Sequence, residues 1–145
     1  MTAINTMTSG LPVNLSYSPS STFSVSAAPT YRPNVSGDIY GDGSIDNFFN
    51  RDNVTVPVDR TQPFGNAPRN AARGPAIYNL DLGLHKSFGL GLGDSRLEFR
   101  IEAFNALNKT NFGAPNGNRS STDFGTIRTL STPPRQIQLG VKVDF

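Results

Sequence analysis

Hydrophobic and polar positions alternate without a break through residues 135–145. Ile137, Leu139, Val141, Val143 and Phe145 occupy one parity; Gln136, Gln138, Gly140, Lys142 and Asp144 occupy the other. Successive side chains of a strand face opposite sides, so the spacing predicts a strand with a wholly apolar face and a polar one. The same period of two runs through residues 95–107, where Leu97, Phe99, Ile101 and Ala103 alternate with Arg96, Glu98, Arg100 and Glu102. The Glu and Ala content would suit a helix, but the period decides for a strand. Over residues 76–88, Tyr78, Leu80, Leu82, Leu84 and Phe88 share a face interrupted by Lys86. Asn79, Asp81, Gly83, His85 and Ser87 lie opposite. A further strand is predicted at 8–17, with Leu11, Val13, Leu15 and Tyr17 on one face and Pro12 at its start or on an edge. Residues 2–7 are a candidate extension of it.

The intervening stretches differ in kind. Residues 18–75 and 108–134 are rich in Ser, Pro, Asn, Asp, Gly and Arg and read as long polar loops holding at most short local hairpins. Residues 89–94 form a short glycine-bearing turn. The connections thus run long, short, long. Structureless loops of this length argue against a compact soluble domain. They are ordinary in outer-membrane barrels, where short turns lie on one side of the membrane and long loops on the other. The expected fold class is therefore all-β: an antiparallel up-and-down meander, a fragment comprising about four strands of a transmembrane outer-membrane β-barrel. The last strand fits this, because it ends on an aromatic where a soluble chain usually ends polar, and barrels carry aromatic girdles at their rims. The competing reading is the last strand of a soluble, secreted β-sandwich that binds or adheres.

Composition changes the picture little. The chain of 145 residues is 36% hydrophobic, with 14 glycines, 11 prolines and no Trp or Cys. No run of apolar residues is long enough for a transmembrane helix, a test that alternating barrel strands escape. The formal net charge is +2, and the arginines are scattered from Arg32 to Arg135 without a basic stripe, so no nucleic-acid partner is expected. Lack of cysteine excludes a disulfide framework and a thiolate metal site. Residues 1–10 show neither a basic n-region nor an apolar h-region. An exported protein of this sequence is expected to take its signal from upstream, as a fragment or a gene model begun at an internal Met would.

Candidate chemistry is sparse. Asp38, Asp42 and Asp46, with Gly43, Ser44 and Ile45, suggest a calcium loop, but Tyr40 and Phe49 stand where such a loop needs oxygen ligands. An Asx-rich turn is the better reading. His85 is the single histidine, so no His-based metal cluster or triad forms within the chain. Glu98 and Glu102 flank Arg100 on one strand face, which suits a cross-strand charge ladder better than acid–base catalysis. No nucleophile–base pair, phosphate loop or metal spacing appears, so neither an enzyme nor a cofactor is expected. Five Asn-X-Ser/Thr sequons, at Asn14, Asn34, Asn53, Asn108 and Asn118, fit chance in so Asn-rich a chain.

Three ordered motifs carry a family resemblance. The first is Phe64-Gly65-Asn66-Ala67-Pro68-Arg69-Asn70-Ala71-Ala72-Arg73-Gly74-Pro75, followed by Tyr78-Asn79-Leu80-Asp81-Leu82 and Lys86-Ser87-Phe88. The second is Leu97-Glu98-Phe99-Arg100-Ile101-Glu102-Ala103-Phe104-Asn105-Ala106-Leu107-Asn108 with Asn111-Phe112-Gly113-Ala114-Pro115. The third is Pro134-Arg135-Gln136 running through to Phe145. Together they resemble the C-terminal end of Oar-like TonB-dependent outer-membrane receptors, closely over about residues 60–145 and loosely before. The resemblance implies a carboxypeptidase-regulatory-like domain and a plug upstream, neither present in this chain. It implies a barrel of about 22 strands, of which this chain supplies the last four. It implies that Leu139, Val141, Val143 and Phe145 form a terminal signal for the barrel assembly machinery. The implied partners are outer-membrane lipid, the remaining strands and plug, and TonB through the absent part. With a periplasmic C-terminus, strand 135–145 runs inward, 95–107 outward and 76–88 inward. The turn at 89–94 is then periplasmic and the loops 18–75 and 108–134 external. A passive porin-like channel fragment is the rival within the barrel class.

Overall fold

The computed structural model describes residues 1–19, 30–58, 63–91 and 94–145, all of them strand, turn or irregular. Parts of the expected loop 18–75 and of the turn 89–94 lie outside the described residues. The chain divides into two compact units: Met1–Ser9 with Ala76–Asn111 and Leu130–Phe145, and Gly10–Pro75 with Phe112–Thr129.

The first unit is one antiparallel sheet. Its strands are β1 (Thr2–Thr8), β6 (Ile77–Gly89), β7 (Arg96–Phe104) and β8 (Gln136–Asp144), in the order β1-β6-β7-β8. Its neighbours follow one another along the chain, as in an up-and-down meander, and the sheet is open at β1 and β8. Register runs Leu82↔Ala103 to Gly89↔Arg96 between β6 and β7, and Arg96↔Asp144 to Phe104↔Gln136 between β7 and β8. Leu90 N–H donates to Ser95 O (3.0 Å), joining the hairpin near its tip. Three of the four expected strands thus lie where alternation placed them.

The first strand does not. Residues 8–17 were expected to form it, yet the sheet is completed by Thr2–Thr8, paired from Thr2↔Gly83 to Thr8↔Ile77. Neither parity of this stretch is apolar throughout: Ala3, Asn5 and Met7 alternate with Thr2, Ile4, Thr6 and Thr8. Its threonines and isoleucine favour extended backbone, and β6 supplies the ladder. Val13, Leu15 and Tyr17 are spaced by two because they enter the core of the second unit, whereas Leu11 is 59% exposed.

That second unit corrects the loop reading as well. Segments expected to be long loops, 18–75 and 108–134, contribute most of a folded body. It contains β2 (Pro12–Val13) paired with β5 (Ala72–Arg73), and β3 (Asn34–Val35) paired with β4 (Val54–Thr55). Single bridges Ser16↔Asn118, Tyr17↔Tyr31 and Tyr40↔Phe49 tie distant stretches together. Its core is Val13, Leu15, Phe49, Val54, Ala72 and Phe124, with Val35, Ile39, Phe48 and Ala71 packed on it. Phe49 packs edge-on to Phe48 (ring centroids 5.4 Å apart) and lies 6.1 Å from Phe124. The Gly125 carbonyl accepts from Phe48 N–H (2.9 Å). Gly125 has φ +80° and would place a Cβ 2.6 Å from the Phe49 carbonyl oxygen, so both conformation and space demand glycine there.

Leu15→Ala should lower the stability of this unit by about 2–5 kcal/mol, through lost burial and a residual cavity. Leu11→Ala, four residues away and exposed, should change it by less than about 0.5 kcal/mol. Denaturant unfolding of the two variants checks the assignment; equal losses would contradict it.

Candidate functional site

Register converts the alternation of single strands into continuous faces. On one face the cross-strand rows are Leu82–Ala103–Ile137, Leu84–Ile101–Leu139, Lys86–Phe99–Val141 and Phe88–Leu97–Val143. Ile137, Leu139 and Val141 are 61%, 77% and 65% exposed. Such a contiguous apolar surface marks contact with another apolar phase or partner. Strands of nine residues, as β7 and β8 are, match the length that crosses a bilayer. Four rows at about 3.4 Å per residue cover roughly 20 Å, close to the apolar band of about 25 Å on outer-membrane barrels.

Lys86 interrupts this face. It stands three residues before the end of β6, with its ammonium 5.7 Å from the Phe88 ring centroid. Near a rim a lysine stem can lie along the apolar surface while the charge reaches the interface. Phe88 and Phe99 pack edge-to-face at 6.0 Å on the same end.

The opposite face is polar. Glu98 pairs in register with Ser87 and Lys142, Arg100 with His85 and Gly140, and Glu102 with Gly83 and Gln138. Arg100 Nε donates to Glu98. His85 lies 3.9 Å from Glu98 and 3.8 Å from Glu102, and Lys142 2.8 Å from Asp144. The ion pairs Glu98–Arg100 and Lys142–Asp144 lie within single strands, and across the strands His85 stands between Glu98 and Glu102. Among the described residues no three His, Cys, Asp or Glu side chains are grouped to hold a metal.

At the end of the sheet where β7 stops, two buried asparagines replace missing backbone partners. Asn105 N–H donates to Asp81 Oδ1 (2.8 Å), and its amide bonds Lys109 N and O and the Pro133 carbonyl. Asn105 and Asn108 adopt φ near 50°, a left-handed conformation that asparagine tolerates better than most residues. Asn111 Oδ1 accepts from Tyr78 N–H, and its Nδ2 donates to Tyr78 O and Thr132 Oγ1, each at 2.9 Å. These residues carry no catalytic signal. Their clue was the recurrence of Asn at a strand end, where side-chain amides can substitute for ladder bonds.

The Asp38 and Asp42 carboxylates serve the turn itself, and Asp46 ties it to a distant segment. Asp38 Oδ1 accepts from Tyr40 N–H (3.0 Å) and Asp42 Oδ1 from Ser44 N–H (2.9 Å), both Asx turns, while Asp46 pairs with Arg128 (2.9 Å). The Ser44 backbone N–H, helped by its hydroxyl and by Asn47, holds the Asp42 carboxyl below the usual aspartate range. Of the terminal residues, Leu139, Val141 and Val143 line the apolar face and Phe145 follows β8, exposed.

A family model described as an outer membrane beta barrel domain matches residues 1–138. Comparison with curated proteins and with solved structures finds no match.

Two outcomes are expected. Asn111→Ala leaves the Tyr78 N–H and C=O without their partner and should cost about 1–3 kcal/mol, read as faster amide exchange at Tyr78. Asp42 should titrate below the ordinary aspartate value by NMR. Because its folded pKa is depressed, its contribution to stability is present above the unfolded value and lost as pH falls through the folded one. A midpoint at or above the ordinary value would contradict the Asx turn.

Proposed function

The chain belongs to the outer membrane beta barrel domain family, and on that premise we propose that it is wall and exterior of an Oar-like TonB-dependent receptor. Its location is the bacterial outer membrane, and outer-membrane lipid is the partner of its apolar face. The observation that carries the reading is the registered pair of faces, apolar rows on one side and polar and charged rows on the other. Hydrocarbon is the environment in which an uncovered apolar sheet face is stable. A soluble sandwich would need a second layer over those rows.

Four strands do not close, since the smallest barrels have about eight. In this reading β1 and β8 take neighbours from the rest of a larger barrel, and transport belongs to the whole. The receptor class is supported by the three ordered motifs that resemble Oar-like receptors, and by two long connections, β1–β6 and β7–β8, against one short hairpin. Energy would come through TonB acting on a plug carried elsewhere in the receptor. Leu139, Val141, Val143 and Phe145 serve as the signal that the barrel assembly machinery reads. The reading assigns no catalysis and no cofactor.

The reading frame upstream of Met1 tests the class. Further alternating strands, a plug and a TonB-contacting segment in the same frame would support it. A continuous frame without a plug would transfer the chain to porin-like channels. Within the full barrel, Leu139→Arg should cost about 2–4 kcal/mol if it sits near mid-bilayer, while Gln138→Arg on the polar face should be nearly neutral. Phe145→Asp should lower the amount of folded barrel in the outer membrane; unchanged assembly would contradict the signal role.

A further inference from the structure

Phe104 is out of place on the polar face. It shares the parity of Glu98, Arg100 and Glu102, pairs with Gln136, and is 41% exposed. Beside it lie two clefts of the sheet unit. One, of about 260 Å³, is lined by Asn79, Asp81, Phe104 and Gln136 among others. The other, of about 170 Å³, is lined by Asp81, His85, Glu102 and Phe104 among others. Asp81 and Phe104 belong to both.

Asp81 is fixed but not neutralised. Its Oδ1 accepts from Asn105 N–H (2.8 Å) and Asn79 Nδ2 (2.9 Å). Of the carboxylates on this face, Glu98 pairs with Arg100, Glu102 lies beside His85 and Asp144 pairs with Lys142. Asp81 has no ion-pair partner among the described residues. Asn79 adds a second deficit, because its Oδ1 is buried without a donor. A buried acceptor left unmatched costs free energy, so native structures usually fill it.

These features want the same complement. A carboxylate without a cation among the described residues and the face of an exposed phenyl ring both favour a positive group rich in N–H. We propose that the Asp81–Phe104 clefts are a binding site for a guanidinium or primary ammonium group. The larger cleft lies below the usual range of ligand pockets, about 300–1,000 Å³, so it takes a head group and not a whole bulky ligand. Asp81 supplies the charge, Phe104 the ring face and Gln136 an amide acceptor. The site rests on the reading of this face as the barrel lumen. The cation can come from a solute or from an arginine or lysine side chain elsewhere in the barrel.

The test is an NMR titration of the isotopically labelled chain in detergent micelles with agmatine, using the uncharged amide N-butylacetamide as control. Agmatine should give saturable shifts at the Asn105 backbone amide and the Asn79 side-chain amide, and the control none. Asp81→Asn should weaken binding by at least about tenfold, as expected for loss of a hydrogen bond to a charged group, and Phe104→Leu by several-fold. If Asp81→Asn loses the β6–β7 amide pattern, Phe104→Leu and Gln136→Leu decide. No saturable shift, equal shifts with the control, or affinity unchanged in the folded variants would overturn the site. Repeating the titration in the whole barrel separates the sources. Retained binding indicates a solute site; binding present in the chain but blocked in the barrel indicates an internal side chain. A chain that enters micelles and ignores agmatine refutes the cation site alone, whereas a chain monomeric without detergent refutes the lumen reading.

Discussion

The register between β6, β7 and β8 is the constraint on which the sheet depends. Side chains alternate with a period of two, so a slip of one residue would move every apolar side chain of a strand to the charged face. It would set Leu139 and Val141 among Glu98, Arg100 and Glu102 instead of in the rows they share with Ile101 and Phe99. In hydrocarbon the penalty is larger, because backbone groups left unpaired by a slip find no water to replace their partners. Apolar rows, ion pairs and continuous ladders are therefore one specification, enforced from both faces.

The ends of the strands hold that register. The β6–β7 hairpin fixes one end, where Leu90 bonds Ser95. At the other end, Asn105 and Asn111 join β6 to the segments that follow β7 and precede β8, through Asp81, Tyr78, Thr132 and Pro133. Two buried amides thus clamp three stretches of chain, with bonds that are directional where apolar contacts are not. Asp81 belongs to this clamp and also lines the clefts, so the residue that anchors the strand end presents to the polar side a carboxylate without an ion-pair partner among the described residues.

How much of this was legible in the sequence depends on range. Strands β6, β7 and β8 could be read because each carries its period within itself over nine or more residues. Strand β1 could not: Ala3, Asn5 and Met7 show no apolar parity, and its place is set by pairing with β6. The second core was hidden for a related reason. Val13, Phe49, Val54, Ala72 and Phe124 come from separate stretches, and strands of two residues hold no period. Polar composition there was read as loop, although a small core needs few apolar residues when asparagine and aspartate side chains bond the backbone, as Asn66 does to Val35. The clefts at Asp81 are not legible in the sequence because register and the strand-end turn, not a motif, bring Asn79, Phe104 and Gln136 together.

One chain therefore solves the burial of apolar surface in two ways. Leu15, Phe49 and Val54 are nearly inaccessible, so their contribution is complete within the polypeptide and independent of its surroundings. Leu139, Val141 and Ile137 are largely exposed and gain nothing until hydrocarbon covers them. In water the sheet face is a liability, held extended by its ladders and open to association through its uncovered rows and its two free edges. In lipid the same rows become the favourable term, and the edges are satisfied by neighbouring strands. The two bodies must then respond differently to their medium: detergent or bilayer stabilises the sheet while leaving the small core nearly unchanged. That difference in solvent, more than any difference in strand chemistry, explains why one part of the sequence looks patterned and the other looks like loop.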